Sequence, residues 1–376
     1  MEHTGSDRDL GVTPRSRSLE GRRTRFASAV AQAGLDAALV SPGPDLAYLL
    51  GESHSSWERL TVLGVATGRP SVLFVPALER GAWTTLEDDV EIVTWRDGED
   101  PHALAAAFAG TGRVAVSEIL TAGHLVRMGA IAKELSFELN DALGSMRSIK
   151  DPWEIDQLRA AGSALDEVFV QIPGLLRPGR TELEVSDAIG RLMLDHGFTN
   201  PDFVAVAAGE SGANPHHAAT PRVLRTGDVV FIDASGPWGP GGYYADSTRT
   251  FALGAPAREA VRVNESLCRA YAAAFAAAVP GATAESVDAA ARESLREDGY
   301  AEAFLHRLGH GIGLDVHEAP NLVAGNTQLL EPGMAFSVEP GVYLDGAFGS
   351  RIEDIVVLGA DGPEALNRGT RELIVV

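Results

Sequence analysis

Hydrophobic and polar positions fall into two successive patterns along this chain. In the first, short apolar runs alternate with helical stretches. A helix is expected over Leu19–Ala33, closed by Gly34, and an apolar strand over Asp36–Val40. Further strands are expected at Leu60–Ala66, Ser71–Val75, Glu91–Thr94 and Arg113–Val116, with helices at His102–Ala109 and Gly123–Leu135. This alternation predicts a small α/β domain over residues 19–147. Residues 1–18 are polar, carry Arg8, Arg15 and Arg17, and lead into no apolar segment. They read as a disordered leader, not a secretory signal.

The pattern changes at Arg147-Ser148-Ile149-Lys150-Asp151-Pro152. Asp151 suits an N-cap, Pro152 the first helical position, and Glu154 completes a capping box. A long amphipathic helix therefore opens a second domain, residues 148–376. That domain contains an internal echo. Pro178-Gly179-Arg180-Thr181 opens a helix ending at Gly197, and Pro280-Gly281-Ala282-Thr283 opens another ending at Gly299. The two stretches align without gaps at an offset of 102 residues and share Val185/Val287 and Ala188/Ala290. A duplicated α+β domain with a pseudo-twofold axis is the expectation.

Composition narrows the function. The chain has 376 residues, 45% of them hydrophobic, enough for two domains with a sizeable core. Its net charge of −21 argues against nucleic acid or an anionic membrane as partner. Cys268 is the single cysteine, so no intrachain disulfide can form, and the surroundings suit a structural thiol. No apolar run is long enough to span a bilayer. A cytoplasmic protein is expected.

The chemistry gathers in the second domain. Asp233 ends the apolar run Val229–Ile232, a Gly/Pro-rich turn follows from Ser235 to Gly242, and Asp246 lies on the returning strand. Glu339 and Glu353 repeat this arrangement: the Asp pair lies 13 positions apart and the Glu pair 14. His310 stands in Gly309-His310-Gly311-Ile312-Gly313. Four converging carboxylates would repel one another unless cations neutralise them. Four carboxylates and one imidazole are too many for one divalent ion, whereas a pair about 3.5–4 Å apart suits them and supports hydrolysis by a bridging hydroxide. Oxygen-rich ligation with one imidazole suits Mn²⁺, placed first here, or Co²⁺, Zn²⁺ or Fe²⁺. His216, His217, His306 and His317 cluster in neighbouring glycine- and proline-rich loops. Arg351, two before Glu353, projects to the same side of a strand and suits a partner holding a carboxylate.

At these residues the chain resembles the pita-bread metallopeptidases, the family of prolidase, aminopeptidase P and methionine aminopeptidase. The resemblance runs from Arg147 to the C-terminus. More weakly, Gly34-Leu35-Asp36-Ala37 and Pro44–Leu49 resemble a creatinase/prolidase-type N-terminal domain. The resemblance implies that Asp233 ligates one metal, Asp246 and Glu353 bridge both, His310 is the sole imidazole ligand, and Glu339 is a ligand near the water. It also implies that His216 and His317 contact substrate or shuttle protons, and that His306 lines the pocket on the proline side. Arg351 joins them as a substrate-binding residue. Glu339 is the candidate for moving the proton from water to the leaving nitrogen. The turn Pro237–Gly241 is slightly longer than the common family pattern.

The implied reaction is cleavage of an Xaa-Pro bond beside a free N-terminus, in small proline-containing peptides, by a homodimer. A dipeptidase ranks slightly ahead of an aminopeptidase P acting on longer peptides. Methionine aminopeptidase fits less well, because it usually lacks such an N-terminal domain. A creatinase-like metal-free hydrolase or a non-catalytic binding module would typically lack the acidic ligands present here.

Overall fold

The computed structural model describes residues 14–54, 58–86, 90–139 and 141–376. The chain divides into two compact units, Met1–Met146 and Arg147–Val376. Residues 1–13 of the expected leader lie outside the described residues. Residues 14–18 already belong to a helix, α1 (Pro14–Gln32), which starts on a proline because the first helical position needs no N–H partner.

In the first unit α1 is followed by β1 (Ala37–Val40), α2 (Pro44–Leu50), β2 (Val62–Val65), β3 (Val72–Pro76) and β4 (Glu91–Trp95). Then come α3 (Pro101–Ala109), β5 (Arg113–Val116), α4 (Ala122–Ile131), β6 (Ser136–Leu139) and α5 (Ala142–Ser148), the last crossing the boundary. The strands form one mixed sheet in the order β4-β3-β2-β1-β5-β6. Helix α4 stops four residues short of the expected Leu135. The chain leaves it to pair β6 with β5, and Leu135 is buried beneath that edge.

The second unit opens with α6 (Pro152–Gln171), whose Asp151–Glu154 capping box is complete. There follow α7 (Glu182–Asp195), β7 (Phe203–Ala208), β8 (Val229–Trp238), β9 (Tyr243–Ala252), α8 (Arg258–Ala277) and α9 (Ala284–Glu297). The remaining strands are β10 (Gly309–Gly311), β11 (Glu318–Leu322), β12 (Ala335–Val338), β13 (Gly341–Leu344), β14 (Phe348–Arg351), β15 (Asp354–Gly359), β16 (Gly362–Ala365) and β17 (Ile374–Val375). They build sheets of order β17-β9-β8-β7 and β11-β10-β12-β15-β16, plus the hairpin β13-β14.

The duplication is visible in the backbone. Helices α7 and α9 each have 14 residues, and they begin 102 positions apart. Gly179 N donates to Leu224 O and Leu224 N to Arg180 O; in the second half Gly281 N donates to Leu330 O and Leu330 N to Ala282 O. Each half has its own core. Val185, Ile189, Val230 and Ile232 fill the first, and Val287, Ala291, Phe336 and Val356 the second.

One expectation needs correction. The turn between the two Asp-bearing strands is not the whole of Ser235–Gly242. Pairing continues through Pro237↔Tyr244 and Trp238↔Tyr243. Strand β7 stops opposite Ser235, and Pro237 turns its carbonyl to Thr199 N, away from β9. Its missing N–H therefore costs no ladder bond, and the proline is tolerated inside a strand.

Candidate active site

Register places the carboxylates. Asp233 pairs with Thr248, and Asp246 with Ser235. Paired residues share a face, as do residues two apart on a strand, so both aspartates rise from one face of the β8–β9 hairpin. In the second half β12 pairs with β15, Val338 opposite Asp354. Glu339 follows β12 directly and Glu353 directly precedes β15; the β13–β14 hairpin occupies the chain between them. The halves meet where Thr248 bridges Glu353. Glu353 N donates to Thr248 O at 3.1 Å, and the Thr248 hydroxyl donates to Glu353 Oε2 at 2.7 Å. Ser247 Oγ and Arg249 Nη1 donate to the Glu353 carbonyl at 3.0 and 2.6 Å.

His310 lies in β10, between β11 and β12. The glycines beside it have a steric cause. A Cβ on Gly309 would overlap the Ser337 carbonyl, and one on Gly311 the Ala319 carbonyl. Ser337 Oγ accepts from His310 N at 3.0 Å and lies 3.2 Å from Glu339 Oε1, to which it donates. His310 Nδ1–H donates to Gly311 O at 3.1 Å. The lone pair of Nε2 then faces Glu339 Oε1 at 3.3 Å and Asp246 Oδ2 at 3.7 Å.

Charge here is uncompensated. Asp233, Asp246, His310 and Glu353 are each less than a tenth exposed. Burial, then Asp233 and Glu339, push the Asp246 carboxyl well above its ordinary range. Burial, then Asp246, does the same to Glu353, and burial raises Glu339 to about 7. Burial also lowers His310 to about 3, so its imidazole is neutral and brings no positive charge. Arg351 reaches one carboxylate, its Nη2 standing 2.5 Å from Asp233 Oδ2.

The donor set fits divalent metal. Asp233 Oδ1 and Asp246 Oδ1 are buried and have no hydrogen-bond partner among the described residues, the state expected of oxygens kept for a cation. Ligand atoms of Asp246, His310 and Glu353 lie within 4.8 Å of one another. A neutral imidazole with its other nitrogen on a carbonyl is the form that binds metal.

The cluster lines a cavity of about 810 Å³, together with His216, His306, Arg307, His317, Arg351 and apolar residues including Leu183, Phe203 and Val204. His216 is exposed on its loop, and His317 packs edge-on to the His310 ring at 4.3 Å. His217 also lines the cavity, but its Nε2 is engaged 2.8 Å from the buried Glu182, which also accepts from Thr220 and Ala208 N. His306 lines the cavity with both nitrogens occupied. Arg351 Nη1 donates to Tyr343 Oη at 2.7 Å, so the phenol hydrogen goes to His306 Nε2 at 2.8 Å and His306 Nδ1–H to Arg307 O at 2.7 Å.

Sequence reasoning missed Thr248, Ser337 and Tyr343. Thr248 had a usable signal, standing two residues after Asp246 on the same face. Tyr343 had none, since its partner His306 is 37 residues away.

Comparison with known proteins agrees with this geometry. Residues 156–360 match the model of metallopeptidase family M24, and residues 22–148 that of the creatinase/prolidase N-terminal domain. The chain belongs to metallopeptidase family M24, and the family together with the cluster implies a divalent metal. Among particular relatives, it is 45% identical to the probable dipeptidase PepE of Mycobacterium tuberculosis, over 93% of this chain and 94% of that one. It is 33% identical to the Xaa-Pro dipeptidase of Lactobacillus helveticus, over 91% and 95%. The crystal structure of dipeptidase PepE from Mycobacterium ulcerans superposes with a TM-score of 0.90 at 40% identity, covering 96% of this chain and 98% of that one. Among the described residues no helix is long and apolar enough to cross a membrane.

Proposed function

We propose that this chain is a dinuclear-metal Xaa-Pro dipeptidase. The observation that carries the reading is a cluster of four carboxylates, three of them buried and Glu339 partly so, around one buried neutral imidazole at the wall of an open cavity. Asp233, Asp246, His310, Glu339 and Glu353 would hold two divalent ions, Mn²⁺ in first place, with Asp246 and Glu353 shared between them. Such ions polarise a carbonyl and acidify water. The dipeptidase names of the relatives support the substrate class.

The chain's own residues have distinct tasks. Glu339, whose affinity for a proton is raised into the neutral range, accepts a proton from the attacking water and returns it to the leaving nitrogen. That return is needed, because the nitrogen leaves as an amine only once it has gained a proton; here the proton becomes the N–H of the released proline ring. His317 is held neutral, by burial first and Arg307 second, and so can exchange a proton with substrate. His216, on the opposite loop, contacts the peptide. His306 contributes its ring surface, and Arg351 fixes Asp233. The single cysteine supports a reducing, cytoplasmic setting, and the family resemblance supports a homodimer.

The test is metal analysis combined with a direct measure of Ala–Pro bond cleavage, which yields Ala and Pro from Ala-Pro and Ala and Pro-Ala from Ala-Pro-Ala. The expectation is two ions per subunit and turnover of Ala-Pro well above Ala-Pro-Ala. Preference for the tripeptide would make the enzyme an aminopeptidase P. A metal-free protein, or one inert toward both with Mn²⁺ or Co²⁺, would reject the reading.

A further inference from the structure

Among the described residues two guanidinium groups line the cavity, and one of them, Arg351, is ion-paired. Arg351 donates to Thr248 Oγ1, Pro215 O, Tyr343 Oη and Asp233 Oδ2, and Asp233 matches its charge. Arg307, half-buried on the same wall, makes no ion pair among the described residues. Its side-chain bond runs from Nη1 to Asn321 Oδ1 at 2.7 Å, a neutral amide. The carboxamide orients the guanidinium while leaving its charge and its remaining N–H groups available.

The position of Asn321 gives that orientation a length scale. Asn321 is the register partner of His310 across the β10–β11 ladder. Directly paired residues present their side chains on one face, about 5 Å apart. Asn321, which holds the guanidinium, thus rises from the ladder about one strand spacing from His310. One extended residue covers about 3.5 Å. A peptide with its scissile carbonyl at the cluster would therefore bring the group that ends the next residue to Arg307. In a dipeptide that group is the C-terminal carboxylate; in a longer peptide it is a neutral amide.

We propose that Arg307, positioned by Asn321, receives the C-terminal carboxylate of the substrate and so restricts the enzyme to dipeptides. The inference rests on the dipeptidase reading above. A guanidinium matches a carboxylate with two parallel N–H···O bonds, and such charge-assisted pairs are the strong ones. An amide in the same place accepts through one oxygen and brings no charge.

The test compares Ala-Pro with its C-terminal amide, Ala-Pro-NH₂, on the metal-loaded enzyme. Wild type should prefer the acid by roughly 10- to 100-fold in kcat/KM, the range expected of one charged hydrogen-bonded contact. In Arg307→Met that ratio should fall toward one, mainly through KM. Arg307→Lys should restore part of it, since charge returns without the fork. Asn321→Ala should give an intermediate ratio. Free proline should inhibit wild type better than prolinamide, and Arg307→Met should remove that difference, a readout independent of turnover. A ratio unchanged in Arg307→Met, or a wild type indifferent to the amide, overturns the assignment while the peptidase reading stands. A wild-type enzyme that cleaves no dipeptide of any sequence overturns both.

Discussion

Replacing Asp246 by Asn should stabilise the metal-free protein and abolish its response to metal. Ligand atoms of Asp246 and Glu353 lie within 4.8 Å, and both side chains are fully buried. Two unit charges at that distance repel by about 3.5 kcal/mol at an effective dielectric of about 20. Part of this is already relieved in the metal-free wild type, because burial, Asp233 and Glu339 raise the proton affinity of Asp246. The net gain expected for Asp246→Asn near pH 8 is therefore about 1–3 kcal/mol. For a domain of this size that is a rise of about 3–10 °C in melting temperature. With metal the order reverses. Under the ligand set proposed above, wild type should gain strongly from Mn²⁺, since ligand binding to the folded state stabilises it by mass action, while the variant offers a neutral amide in place of a carboxylate. Thermal unfolding in EDTA and in Mn²⁺, on both proteins, measures all four states. An Asp246→Asn protein that melts below wild type in EDTA would refute the reasoning, since the carboxylates would then not be repelling one another.

Three further outcomes follow from the same geometry. Thr248→Val keeps the shape but removes the hydroxyl that donates to Glu353 and accepts from Arg351 Nε, so metal affinity should fall about 10- to 100-fold by isothermal titration; unchanged affinity would make the bond incidental. Gly309→Ala drives a methyl into the Ser337 carbonyl and should cost about 2 kcal/mol or more in urea unfolding, with activity lost alongside, whereas a wild-type midpoint would contradict the packing argument. Glu318 is buried, which opposes ionisation, yet Lys150 and Arg147 overcome this and hold its carboxyl below the ordinary range. A depressed folded value means stability present above the unfolded value and lost as pH falls through the folded one. Glu318→Gln should therefore be about 3 kcal/mol less stable near pH 7, with the gap closing as pH drops below about 4.5; a gap constant from pH 7 to pH 3.5 in parallel melts would contradict it.

Much of the site was legible because its determinants are local or periodic. The alternation of β8 and β9 puts Asp233 and Asp246 on one face, and the Pro-Gly-x-Thr starts announce the repeat of α7 and α9. The Asp151 capping box marked the start of α6 for the same reason: its three participants lie within four residues. What stayed hidden depends on neighbours distant in sequence. Pro237 looked like a turn residue, and only the early end of β7 lets it sit in a strand. The β13–β14 hairpin carries Tyr343, whose value lies in linking Arg351 to His306, and nothing near it in the sequence indicates that link. Strand β6 was overlooked because Ser136–Leu139 is a half-exposed edge with no strong alternation. Composition likewise could not reveal that Arg351 is committed and Arg307 is not.

The four hydrogen bonds that fix Glu353 to β9 have a kinetic consequence. Glu353 comes from the second half of the domain, yet Ser247, Thr248 and Arg249 of the first half set both its main chain and its carboxylate. The position of Glu353 in the cluster is set by the fold and does not wait for an ion. Loading should then be governed by how fast an arriving cation sheds its water, with a single phase whose rate rises linearly with metal concentration, and with no slow rearrangement behind it. Withdrawal of the ions by a chelator should correspondingly leave the fold intact and ready to be refilled.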